Sequence, residues 1–132
     1  MNRIPAEITA INTAGNLSEV QLTSGEIKFT VLLVETPETA PYLKIGSRMT
    51  LLFKETEVIL AENSAVNVSI QNRFHGTISE IKKSEILSEI ILKTAVGTVK
   101  CLISTSQLAT LPFYEGQEVA IFVKANEIML SE

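Results

Sequence analysis

Leu87-Ser88-Glu89-Ile90-Ile91-Leu92-Lys93-Thr94 decides the fold, because part of it has already occurred once: Leu17-Ser18-Glu19 and Leu22 stand 70 positions earlier. The same spacing relates Asn2-Arg3 to Asn72-Arg73, Ile8 and Ile11 to Ile78 and Ile81, and Gly46 to Gly116. It also relates Lys54, Glu57 and Leu60 to Lys124, Glu127 and Leu130. Matches kept in order from end to end mark a tandem repeat. Gly25 and Lys28 match Gly97 and Lys100 at a spacing of 72 instead, which implies an insertion and a compensating deletion within the repeat. The repeats cover about residues 1–62 and 69–132, with the small polar segment Glu62–Val68 between them. The corresponding domains are 1–63 and 64–132.

Within the second repeat, His75–Ile81, Ser88–Thr94, Val99–Ile103, Val119–Val123 and Glu127–Leu130 are short runs rich in β-branched residues, with turn signals between them. Ser106–Leu111 reads as a single helical turn with a serine near its start. Five short strands and one helical turn per repeat predict an all-β chain of two tandem OB-like five-stranded small barrels. A barrel of some 60 residues is marginal alone, so the two are expected to support each other and to need partner surface.

The chain has 132 residues, 45% of them hydrophobic, and a net charge of −4. No basic run or basic-plus-aromatic cluster suggests a nucleic-acid surface. No stretch approaches the roughly 20 apolar residues of a membrane span, and the start lacks the apolar core of a signal peptide, so a cytoplasmic location is expected. Cys101 is the single cysteine, which excludes an internal disulfide and any multi-cysteine metal site. In an apolar strand it reads as a small buried hydrophobe. Glu55, Glu57 and Glu62 read as a solvated edge, and His75 as a surface residue at a strand start. There is no paired acid and base, no nucleophile–histidine pair and no phosphate loop, so no catalytic residue is expected.

The chain resembles the Mop-domain (TOBE-like) proteins, specifically the two-repeat molbindins. Ser69-Ile70-Gln71-Asn72-Arg73-Phe74-His75-Gly76 fits the frame of the Mop signature, which opens Ser-Ala-Arg-Asn and closes on Gly. The closing segment, Val119 to Leu130 with Lys124-Ala125 inside it, is similar to the family's terminal strand. Phe113-Tyr114-Glu115-Gly116-Gln117-Glu118-Val119 is similar to the element before it. Three departures stand out. Gln71 replaces the signature Arg, the first repeat begins at Asn2 without the preceding Ser-Ala-Arg, and the first-repeat loop carries Glu35 and Glu38. Ser64-Ala65-Val66-Asn67 spells part of the signature but lacks the following Gly, so the register belongs on Asn72.

The resemblance implies a protein that binds a tetrahedral oxyanion, molybdate or tungstate, for storage or homeostasis, with no cofactor. Such a dianion is best held by many neutral donors and one or two cations. Ser104, Thr105 and Ser106 offer three hydroxyls, Lys124 a cation, and Ala125 room for approach. Ser69, Gln71 and Asn72 are the matching signature residues, and Asn2, Arg3 and Lys54 are the first-repeat counterparts of Asn72, Arg73 and Lys124. Read without the resemblance, the hydroxyl run is a polar loop, Lys124 a solvated charge, and Asn2 and Asn72 turn formers. In the resembled family the pieces meet across subunit interfaces. A homo-oligomer is therefore expected, a trimer first and a dimer second, with no nucleic acid and no membrane as partner. The second-repeat signature is expected to serve a site better than the first-repeat start. The competing function is a regulatory or assembly module of paired barrels with weak or no ligand binding.

Overall fold

A computed structural model describes residues 1–63 and 65–132. Ser64, which opens the partial signature and lies within the linker, falls outside the described residues. In the first repeat the strands are β1 (Asn2–Ala14), β2 (Leu17–Ser24), β3 (Ile27–Leu33), β4 (Arg48–Phe53) and β5 (Ile59–Ala61). A short 3₁₀ turn, Glu55–Glu57, precedes β5. In the second repeat they are β6 (Asn72–Lys83), β7 (Leu87–Thr94), β8 (Gly97–Ser104), β9 (Glu118–Val123) and β10 (Met129–Ser131). The helix α1 (Thr105–Leu108) follows β8, and a second 3₁₀ turn, Ala125–Glu127, precedes β10. That turn delays the last strand by two residues relative to the predicted start at Glu127.

Strand formation follows the alternation of side chains. Along β1, Asn2, Ile4, Ala6 and Ile8 are buried and the residues between them exposed, and β6 repeats this with Asn72, Phe74, Gly76 and Ile78. Both strands carry a bulge at the same place, at Thr9 and at Ser79. Each bulge hydroxyl donates to a carbonyl of the next strand: Thr9 to Gln21 at 3.2 Å and Ser79 to Ile91 at 3.1 Å.

Two five-stranded sheets result, in the orders β10-β4-β1-β2-β3 and β5-β9-β6-β7-β8. The all-β expectation holds, with one feature that the sequence did not show: the repeats exchange their fifth strands. β10 of the second repeat pairs with β4 through Met129↔Leu52, Leu130↔Leu51 and Ser131↔Thr50. β5 of the first pairs with β9 through Ile59↔Phe122, Leu60↔Ile121 and Ala61↔Ala120. The two 3₁₀ turns feed these exchanged strands, and they pack crosswise: Ala125–Glu127 on β3, Glu55–Glu57 on β8.

Register also corrects the expected insertion and deletion. Thr23 pairs with Lys28 and Ser24 with Ile27, as Lys93 pairs with Thr98 and Thr94 with Gly97. Both hairpins have two-residue loops, so position 70 holds throughout and Gly97 is the counterpart of Ile27. The glycines misled because each hairpin meets its need for positive φ at a different place, Gly25 inside the loop and Gly97 just after it.

One continuous core runs through both repeats, from Ile4, Leu22, Phe29, Leu51 and Phe53 to Phe74, Ile90, Leu92 and Ile121. Phe29 and Phe74 meet edge to face across the junction, 5.4 Å between centroids. Cys101 is fully buried, and burial pushes its thiol up to about 12.

Candidate functional site

Asn72 opens β6 and is buried against the first repeat. Its Nδ2 donates to the Thr30 carbonyl at 2.8 Å, and its Oδ1 accepts from the Thr30 amide at 2.7 Å. β3 is the edge strand of its sheet, so this one side chain stands in for a neighbouring strand. Asn2 does the same for β8: its Nδ2 donates to the Lys100 carbonyl at 2.9 Å and its Oδ1 accepts from the Lys100 amide at 2.8 Å. The two asparagines therefore stitch the repeats together with a pseudo-twofold relation, and their amide groups are already engaged.

Beside Asn72 lies a cleft of about 500 Å³ where the second-repeat signature meets the β2–β3 hairpin of the first repeat. Its polar lining is Thr9, Gln21, Thr23, Lys28, Thr30, Gln71 and Asn72. Thr9 is placed there by the bulge, Thr23 and Lys28 by their cross-strand pairing, and Gln71 by the fixed neighbour Asn72. Three other surface clefts each carry a glutamate: Glu7, Glu26 and Glu38. The cleft at Gln71 combines an ammonium group, hydroxyls and amides with no carboxylate, a lining suited to an anion.

The remaining sequence-predicted residues lie elsewhere. Ser69 is exposed ahead of the buried Ile70. Arg3 is exposed on β1 opposite Leu52. Lys54 and Lys124 are exposed and precede the two 3₁₀ turns, neither donating a capping bond, while Ala125 is half-buried. Ser104 caps α1, accepting from the Gln107 amide at 3.2 Å. Thr105 donates to the Ser84 carbonyl at 2.7 Å and lies 2.7 Å from the Ser88 hydroxyl. Two of the three hydroxyls thus fasten α1 and its approach. Because the turns pack crosswise, Lys124 is carried toward β3, and the turn after Lys54 lies on β8, the strand that leads into Ser104. Thr9, Gln21, Thr23 and Lys28 were missed. The match of Lys28 to Lys100 drew attention to that hairpin, but only as an alignment landmark.

Arg73, next to Asn72, holds the linker down. Its guanidinium donates to the Val66 and Val68 carbonyls at 2.9 and 3.0 Å and lies over the Phe122 ring, 5.2 Å from its centroid.

Strand order, exchanged fifth strands and the asparagine stitches define a paired small-barrel fold, and known proteins resemble it. Residues 68–130 match the TOBE domain, so the second repeat is similar to that domain, and the first repeats its strand plan. The chain is 25% identical over 133 aligned positions to the "Molybdenum transport protein ModE" of Herbaspirillum seropedicae, covering 98% of this chain and 49% of that protein. The chain thus spans about half the length of that relative. The solved structure of the cytoplasmic molybdate-binding protein ModG, with molybdate bound, superposes with a TM-score of 0.89 at 20% identity, covering 98% of this chain and 94% of that one. The family resemblance carried by Ser69–Gly76 and Val119–Leu130 is borne out by these matches.

Proposed function

We propose that the chain binds a tetrahedral oxyanion, molybdate in the first instance and tungstate by the same chemistry, and holds it for intracellular storage without covalent chemistry. The observation that carries this reading is the junction cleft at Gln71, with Lys28 and the Thr9 and Thr23 hydroxyls around it and no carboxylate in its lining. A dianion in such a cleft gains a charge-assisted bond from the lysine and neutral bonds from hydroxyl and amide groups. The protein's net negative charge acts through screened solvent and does not outweigh donors in contact. Support also comes from the molybdate-linked relatives at whole-chain coverage. The strongly exposed Val34, Ile45, Ile86 and Tyr114 favour assembly with further copies of the chain, a trimer first.

Lys28 and Lys124 are the two candidates for the cation, and calorimetry with molybdate on the two alanine variants separates them. Lys28→Ala is expected to weaken binding roughly 10- to 150-fold, the value of about 1.5–3 kcal/mol for a bond from a charged donor. Unchanged affinity in Lys28→Ala together with a loss in Lys124→Ala moves the site to the 3₁₀ turn. A pure assembly module gains no stability from molybdate, whereas a binder gains about 2.7 kcal/mol at 100 Kd.

A further inference from the structure

Thr30 lies in the middle of β3, between Phe29 and Val31, which are fully buried in the core. Alternation turns the Thr30 side chain the other way, yet Thr30 is only 6% exposed, because β6 of the second repeat packs against β3 there. Its match 70 positions on is Lys100, which is exposed on β8. The Thr30 amide and carbonyl are both taken by Asn72. Its hydroxyl has no hydrogen-bond partner among the described residues. None of their side-chain oxygens is sealed from solvent without a partner, so this hydroxyl opens to solvent. The opening is the cleft at Gln71, which Thr30 lines. The other polar groups there are spoken for or lie further out: Thr9 donates to the Gln21 carbonyl, Asn72 holds Thr30, and Gln21, Lys28 and Gln71 are exposed.

We propose that the Thr30 hydroxyl is the innermost ligand contact of the cleft, a buried donor on its floor that bonds directly to the bound oxyanion. The cleft of about 500 Å³ has room for the ion to reach it. An ion of five heavy atoms fills the space of about five waters, on the order of 150 Å³. An ionised oxyanion offers only acceptors, and the Thr30 hydroxyl brings an uncommitted proton to meet one of them. The bond replaces the hydration that this buried oxygen gives up when the ion enters. Asn72 grips the Thr30 main chain and is the chain neighbour of Gln71, so the floor and the second-repeat side of the cleft are positioned together before the ion arrives. The ion is then held by both repeats at once. Lys100 at the matched position carries no hydroxyl, so this floor occurs once per chain. The assignment rests on the oxyanion reading above and adds to it the residue that the ion meets deepest in the cleft.

Calorimetric titration of the full chain with molybdate tests this on two variants of the one residue, with circular dichroism melting of each in the absence of molybdate. Thr30→Val puts a methyl group of the same shape in place of the hydroxyl and leaves the main-chain bonds to Asn72 intact. It is expected to weaken binding roughly 2- to 10-fold, the contribution of one neutral hydrogen bond, with the melting temperature unchanged or raised. Thr30→Ser keeps the hydroxyl and is expected to retain most of the affinity. Wild-type affinity in Thr30→Val overturns this inference and leaves the oxyanion reading standing. The same follows from an equal loss in Thr30→Ser, or from a loss in Thr30→Val matched by a fall in melting temperature, since either assigns Thr30 to the junction alone. No molybdate bound by the wild type overturns the oxyanion reading, and this inference with it.

Discussion

Asn72 is buried with both ends of its amide bonded to one residue of the other repeat, so it serves the junction first and any ligand only by holding Gln71 in place. Removing it leaves the Thr30 amide and carbonyl buried without partners, and such orphaned groups cost more than the bonds contributed. Asn72→Ala is expected to lower stability by roughly 2–4 kcal/mol in urea denaturation, the sum of two lost bonds and one exposed mismatch. A loss under about 0.5 kcal/mol would show that water takes over the role. In the sequence this asparagine was read as a ligand or a turn former. The partner that settles its role lies 42 positions away, and no local pattern announces it. Lys28 and Thr9 were hidden for a related reason: a lysine in a hairpin and a threonine at a bulge carry no signal until register sets them around one space.

Single strands were legible because alternation of buried and exposed residues is a property of the chain itself. The partners of the short strands were not. Met129–Ser131 has the same pattern whether it completes its own repeat or the other, and only the crosswise path of the 3₁₀ turn decides. Gly76, which closes the signature frame, has its explanation at this scale too. A Cβ there would come within 2.8 Å of Ile121 Cδ1 and 3.1 Å of the Thr94 methyl. The first repeat has Ala6 and Ser24 at the matching places, and Ser24 lacks that methyl. Gly76→Ala is therefore expected to destabilise by about 1–3 kcal/mol through overpacking. The double change Gly76→Ala with Thr94→Ser should recover part of the loss in thermal melting. A single variant as stable as the wild type would mean that β6 and β9 yield more readily than their contacts imply.

The repeat was the strongest signal in the sequence, and the two-sheet architecture followed from it. What periodicity could not convey is that the repeats share one core and trade strands, since a duplicated sequence is equally compatible with two separate barrels. Shared packing makes the halves thermodynamically one unit. Differential scanning calorimetry is expected to show a single transition whose calorimetric and van't Hoff enthalpies agree. Two resolved transitions would mean that the junction at Phe29 and Phe74 contributes little. The exchange also fixes an order of events during synthesis. The first sheet has its β4 edge open until residues 129–131 have been made, while β5, made early, waits for β9. A ribosome adding some 5–20 residues per second leaves that edge unpaired for several seconds, long enough for a nascent chain to meet the edge of its neighbour on the same message.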